Sequence, residues 1–200
     1  VEISNGTTGQ PFTPPVVTTH RKGFDLFEPW THATPGIQGV AENGDVPGHI
    51  AELEAARGVD TVAAADGPVL TGESTTVRFY TRPGVRRFSF ASMLICTNDG
   101  FVGVNRQLLP KYAGHSKTYG ANSYDAGTEK NTEKFADLVP PCGPLTGVDS
   151  GGQGTGASNP ALAENGVITS HPGIYGWGDL IPAIHDWDDP AATVTVTRLQ

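Results

Sequence analysis

SFASMLICTNDGFVGV, residues 89–104, is the stretch that decides the predicted fold of this 200-residue chain. Up to Ile95, apolar side chains occupy odd and even positions alike, so an extended backbone here would be buried on both faces. Such burial is typical of a central strand in a β-sandwich, and we predict one over residues 85–95. The polar turn that follows ends this strand and sets Asp99 at the rim of the sheet.

The segments around this stretch also favour β-structure. Residues 77–81 alternate apolar and polar side chains, which predicts a strand joined to residues 85–95 through a turn at Pro83-Gly84. Residues 193–199 alternate Thr and Val and predict a half-buried closing strand. Between these strands, residues 97–190 carry mostly turn and loop signals.

Two short helices are predicted near the N-terminus. Thr34 is a favourable N-cap with Pro35 at the first helical position, and Gly44 ends the helix. Asp45 precedes Pro47 at the start of the second helix. Both helices are too short to be stable alone, so they must pack against a larger structure.

Composition limits the classes of protein that fit. The chain has 26 glycines and 16 prolines, but apolar runs recur throughout, and we expect one domain over residues 1–200. The net charge of −8 argues against a nucleic-acid binder. No apolar run is long enough to span a membrane. The chain begins at Val1, as a mature exported protein with its leader removed would.

Three carboxylates occupy turn contexts that could direct them at one point. Asp99 follows the apolar strand, while Asp125 and Glu129 lie four apart with Gly127 between them. Converging acids repel one another unless a cation lies between them, and Ca²⁺ binds six to eight oxygens. Acids in turns are more often simply solvated, so the spacing alone is a weak signal.

Several segments, taken in order, resemble the spondin N-terminal domain family. The match covers nearly the whole chain, with residues 89–104 as its most characteristic part. The remaining segments are FTPPVVTTH (12–20), LF (26–27), AENGD (41–45), YDAGTE (124–129), HDW (185–187) and TVTVTRL (193–199).

This resemblance implies an all-β, C2-like antiparallel β-sandwich of the kind found in extracellular matrix proteins and exported bacterial proteins. It also implies a calcium site on Asp99, Asp125 and Glu129. Animal members carry Asp at the third position, where this chain has the longer Glu129. The implied function is a secreted or cell-surface, non-catalytic module for recognition or adhesion. Its expected partner is a carbohydrate or an extracellular or cell-surface protein.

The two cysteines, Cys96 and Cys142, belong to no CxxC pair. In an oxidising compartment they could form a disulfide, whereas in a cytosol they would be free thiols. Because we expect an exported chain, we predict the disulfide.

Other functions remain open at this stage. Ser150 lies in a VDSGG segment similar to the nucleophile motif of trypsin-like proteases, although the setting of His20 does not match that family. An exported hydrolase using Ser150, or a transition-metal protein using His20, His171 and His185, is therefore the alternative. A structural surface-layer component is a third interpretation.

Four arginines, at positions 78, 82, 86 and 87, gather around the predicted hairpin. They could bind an anionic glycan through bidentate contacts. The more ordinary interpretation is a solvated face that discourages pairing between sheet edges.

Overall fold

The computed structural model describes residues 1–148, 154 and 158–200. Its β-strands are β1 (Glu2–Asn5), β2 (Val16–His20), β3 (Val59–Ala64), β4 (Ser74–Thr76), β5 (Arg87–Met93), β6 (Gly100–Leu108), β7 (Ser116–Asp125), β8 (Thr169–Ser170) and β9 (Ala192–Thr197). The α-helices are α1 (Pro35–Asn43), α2 (Val46–Ala55), α3 (Cys142–Thr146) and α4 (Pro182–His185), and a 3-10 turn covers Phe135–Asp137.

The strands pair in the order β3-β2-β5-β6-β7-β9-β1-β4, and every pairing is antiparallel. Strand β7 belongs to both layers: its first half pairs with β9 and its second half with β6, while β8 adds to its end. The sheet therefore curls over on itself at β7. This confirms the predicted all-β, sandwich-like fold.

The main core lies between the two layers. Phe88 and Phe90 of β5 and Val102 of β6 are buried there against Val194 of β9. Ala91 points to the opposite face of β5, as the two-residue period of a strand requires. Because both faces of this strand are buried, its sequence reads as a continuous apolar run.

The two N-terminal helices cover the outer face of β2, β5 and β6. Helix α1 begins where the Thr34 hydroxyl accepts the N–H of Ile37 and ends at Gly44, whose φ of 64° suits glycine. Helix α2 begins at Asp45, whose carboxylate accepts the N–H of Gly48. Apolar side chains of both helices pack on strand residues that include Phe101. These helices confirm the prediction.

One local prediction was wrong. Residues 77–81 alternate in burial as expected but form no strand. The Thr61 hydroxyl donates to the Tyr80 carbonyl, and the Asp60 carboxylate accepts the N–H of Arg82 just after this segment. The described part of residues 97–190 lies mostly outside helices and strands, as predicted, but it includes β6 and β7, which were not predicted. Half of the residues of β7 are exposed and its sequence is mostly polar, so it gives no apolar alternation to detect.

Cys96 and Cys142 form the predicted disulfide, with Cα atoms 5.1 Å apart. The bridge joins helix α3 to the end of the β5 segment, above a third apolar cluster that contains Ile95, Phe135 and Leu138. Among the described residues, no helix has the length and apolar character needed to span a membrane. The extent of the domain, residues 1–200, stays a prediction.

Candidate calcium site

Asp99 lies immediately before β6 and its side chain is fully buried. One carboxylate oxygen, Oδ2, accepts hydrogen bonds from the Thr128 N–H at 2.7 Å, the Thr128 hydroxyl at 3.2 Å and the Glu129 N–H at 2.9 Å. These donors fix the orientation of the carboxylate. They also hold the loop after β7 against the start of β6.

The second oxygen of Asp99, Oδ1, is buried and has no hydrogen-bond partner among the described residues. A buried, unpaired carboxylate oxygen is destabilising, because folding removes its water and supplies nothing in return. Such atoms are rare in folded proteins, and a bound ion is one of the accepted reasons for them.

Asp125 is brought to the same place by strand pairing. It is the last residue of β7 and pairs with Gly100 of β6, directly beside Asp99. Its Oδ1 accepts the Gly127 N–H at 2.7 Å, and its Oδ2 accepts the Asn131 amide at 2.6 Å. The structure therefore brings two of the three predicted ligands together.

The electrostatics of this pair favour a cation. Burial and, after it, the negative charge of Asp125 raise the pKa of Asp99 to about 7, against the opposing hydrogen bonds from Glu129 and Thr128. In the part of the chain described, neither Lys nor Arg forms an ion pair with Asp99 or Asp125. A bound proton or cation would compensate the negative charge of Asp99 and Asp125.

The backbone and the side chain of Glu129 contact different parts of the structure. Its backbone N–H bonds to Asp99, but its side chain turns away, and Oε1 accepts the Asn159 N–H at 2.8 Å. The Glu129 carboxylate lies in a cleft of about 290 Å³ that also holds Glu42 and Asp137. Burial raises the pKa of Glu129 to about 7, with the hydrogen bond from Asn159 opposing the rise and the charges of Glu42 and Asp137 contributing to it. Ligation by Glu129 stays a prediction.

The turn between Asp125 and Glu129 requires glycine. Gly127 has a φ of 69°, which disfavours any residue with a Cβ atom. A Cβ atom here would also lie 2.7 Å from the backbone N and O of Val167. This close packing fixes the loop that carries the Asp99 donors.

The donor set fits calcium chemically. Carboxylate oxygens are the ligands that Ca²⁺ prefers, and carbonyl oxygens or waters complete its shell. The unpaired Asp99 Oδ1 and the adjacent Asp125 supply oxygen ligands and negative charge. Histidine and thiolate ligands, which zinc and copper prefer, are not needed for this site.

The alternative sites are not assembled in the described residues. His20 bonds to Ser89 and to the Arg21 carbonyl, and the three histidines His20, His171 and His185 form no common cluster. The one group of three with metal-ligand spacing there is His185 with Cys96 and Cys142, whose sulfurs are bonded to each other. The three acids Asp99, Asp125 and Glu129 do not converge at that spacing either. Ser150 lies outside the described residues.

Sequence reasoning missed Thr128 and Asn131, whose side chains orient Asp99 and Asp125. Thr128 lies within the quoted YDAGTE segment, and Asn131 follows two residues after Glu129. The available signal was the run of polar residues after β7, which a turn would also produce.

A family model described as Spondin_N matches residues 7–137, which include β5, β6, β7 and all three predicted ligands. The chain belongs to the spondin N-terminal domain family. A comparison with curated proteins gives no match.

As a member of the spondin N-terminal domain family, the chain is a module of an extracellular type. This class of module agrees with the disulfide, because such bonds persist in oxidising compartments. The family is not a known enzyme family.

Proposed function

We propose that this spondin domain is a secreted or cell-surface recognition module whose rim loops are stabilised by one calcium ion, and that it is non-catalytic. The observation that carries the proposal is the buried Asp99 Oδ1, which has no described protein partner and lies beside Asp125. The bound ion would neutralise these carboxylates. Asp99 and Asp125 would hold it, with Glu129 as a further candidate ligand.

The structural consequence concerns the loop that follows β7. Asp99 already orders this loop through three hydrogen bonds to one oxygen. Protonation of Asp99 would relieve its charge but weaken these bonds, whereas calcium relieves the charge and leaves Oδ2 as a full acceptor. Calcium therefore suits a module that must present ordered rim loops to a carbohydrate or an extracellular protein.

Thermal unfolding with and without calcium tests this proposal. A ligand at about a hundredfold excess over its Kd stabilises the folded state by roughly 2.7 kcal/mol. For a domain of this size that corresponds to a rise in Tm of roughly 6–10 °C. Magnesium should give a smaller rise, because it requires a tighter octahedral shell. An unchanged melting curve after chelation, with no bound ion in elemental analysis, would contradict the proposal.

A further inference from the structure

A second set of charged side chains gathers at the opposite end of the same strands. Strand β2 ends at His20, which pairs with Arg87 at the start of β5, and Arg87 pairs in turn with Leu108 at the end of β6. Residues 21–22 and Arg86 extend these strand ends. Antiparallel pairing therefore places segments distant in sequence side by side.

These strand ends surround an open cleft of about 690 Å³. Four of its seven lining residues are cationic and none is acidic. The lining consists of Arg21, Lys22, Pro83, Gly84, Arg86, Arg87 and Leu108. The chain as a whole has 13 Lys and Arg against 21 Asp and Glu, so this concentration of positive charge runs against the net charge.

The cations of the cleft are available to a ligand. In the part of the chain that the structure describes, ion pairs join only Arg82 to Asp60 and Arg106 to Asp25. Both pairs lie outside the cleft lining. Within the lining, Arg21, Lys22 and Arg86 are exposed, and Arg87 is held by a hydrogen bond from Nη1 to the Arg106 carbonyl at 2.7 Å.

We propose that this cleft binds a sulfated oligosaccharide. Guanidinium groups bind sulfate oxygens through paired hydrogen bonds, and cations contributed by two separate strand ends match a chain that carries repeated anionic groups. Pro83 and Leu108 add apolar surface between the cations. A sugar ring with sulfate substituents offers the same combination of anionic groups and apolar C–H faces.

Other anions fit the cleft less well. Nucleic acid is disfavoured because the lining has no aromatic side chain on which a base could stack, and because the net charge of −8 repels a long polyanion beyond the cleft. A single inorganic anion would leave most of the cations unused. The inference rests on the proposed recognition function, since it names the chemical class of the partner.

Isothermal titration calorimetry on the whole domain tests the inference with four probes. They are a heparin-derived hexasaccharide, its desulfated counterpart, inorganic sulfate and a thymidine oligonucleotide of six residues. At physiological ionic strength we expect saturable binding of the sulfated hexasaccharide that weakens steeply with added salt. The desulfated sugar and the oligonucleotide should bind at least about tenfold more weakly, because sulfate contacts supply the selectivity. Inorganic sulfate should not compete at equal concentration.

The double variant Arg21→Gln/Arg86→Gln removes two exposed cations whose side chains make no described hydrogen bond or ion pair. It should lose at least about tenfold in affinity for the hexasaccharide. Lys130→Gln/Lys134→Gln removes the same charge from the segment after β7 and should keep wild-type affinity. Both variants should retain the calcium-dependent rise in Tm, which separates failure of the cleft from failure of the calcium proposal. Unchanged binding in the Arg21/Arg86 variant, or equal binding of the oligonucleotide, would overturn the inference.

Discussion

The backbone N–H of Glu129 donates to Oδ2 of Asp99 at 2.9 Å, while the carboxylate of Glu129 lies elsewhere. Glu129 therefore supports Asp99 through its main chain, whatever its side chain does. This arrangement separates two roles that a substitution at position 129 would affect differently. The main-chain role survives a change of side chain, and the ligand role does not.

Substitution of the acids should rank them by their contribution to calcium binding. Asp99→Asn and Asp125→Asn should each abolish most of the calcium-induced rise in Tm. Asp99→Asn removes the charge of the carboxylate that carries the unpaired oxygen, and Asp125→Asn removes the adjacent charge. Glu129→Gln should reduce the rise less, because this carboxylate bonds to Asn159. The exposed Asp66→Asn is the matched control. A complete loss in Glu129→Gln would show that its side chain reaches the ion.

Loss of the disulfide should destabilise the domain substantially. The bridge between Cys96 and Cys142 closes a loop of 46 residues. In the chain-entropy model such a loop contributes roughly 4 kcal/mol, so the Cys96→Ala/Cys142→Ala variant should melt roughly 8–16 °C lower. Thiol titration of the unfolded, unreduced wild type should detect no free thiol. Two free thiols would contradict the bridge.

Glu133 should be essential for the order of the loop before α4. Its two carboxylate oxygens accept the N–H groups of Tyr175 and Trp177, each at 2.7 Å. Glu133→Gln replaces one acceptor by a donor and leaves a backbone N–H unpaired, which costs about 1–3 kcal/mol. Hydrogen exchange at the amides of Tyr175 and Trp177 should accelerate. The exposed Glu28→Gln should change neither exchange nor stability, and unaltered exchange in Glu133→Gln would contradict the contact.

His49 should make stability sensitive to acid. Burial lowers the pKa of His49 to about 4, and neither of its ring nitrogens has a described partner. The unfolded chain, with a His pKa near 6.5, binds the proton more readily than the folded chain. The stabilising contribution is therefore complete above about pH 6.5 and is lost as the pH falls towards 4.

Urea unfolding between these pH values measures this effect. In His49→Leu the loss of stability on acidification should be smaller than in the wild type by on the order of 1–3 kcal/mol. His115→Leu is the control, because this ring is exposed in the folded protein as well. An identical slope in His49→Leu and wild type would contradict the prediction.

The sequence was most informative where one physical signal dominated. Strand β5 is buried on both faces, and helices α1 and α2 have strong caps. Their sequence patterns therefore predicted these three elements. Strand β7 was missed because half of its residues are exposed and its sequence is mostly polar, without an apolar alternation. Residues 77–81 gave a false strand, because alternating burial does not require a ladder of backbone hydrogen bonds.

The candidate sites differ in the same way. Asp99 and Asp125 were identified from their turn contexts and from a family resemblance, and strand pairing does place them together. The unpaired oxygen of Asp99 is a property of three-dimensional burial and has no local sequence signal. The basic cleft depends on the pairing of β2 with β5, which brings residues 21–22 beside Arg86 and Arg87 across more than sixty positions of the chain.

Acidic and basic groups lie at opposite ends of β6. This strand has nine residues, so Asp99 and the cleft beside Leu108 are separated by roughly 30 Å. The basic cleft therefore lies at the end of β6 that is remote from the rim loops. On an anionic surface we expect the basic end to face inward and the rim loops outward, which neutron reflectometry on an anionic monolayer would detect. Random orientation on that monolayer would show that the basic cleft does not orient the domain.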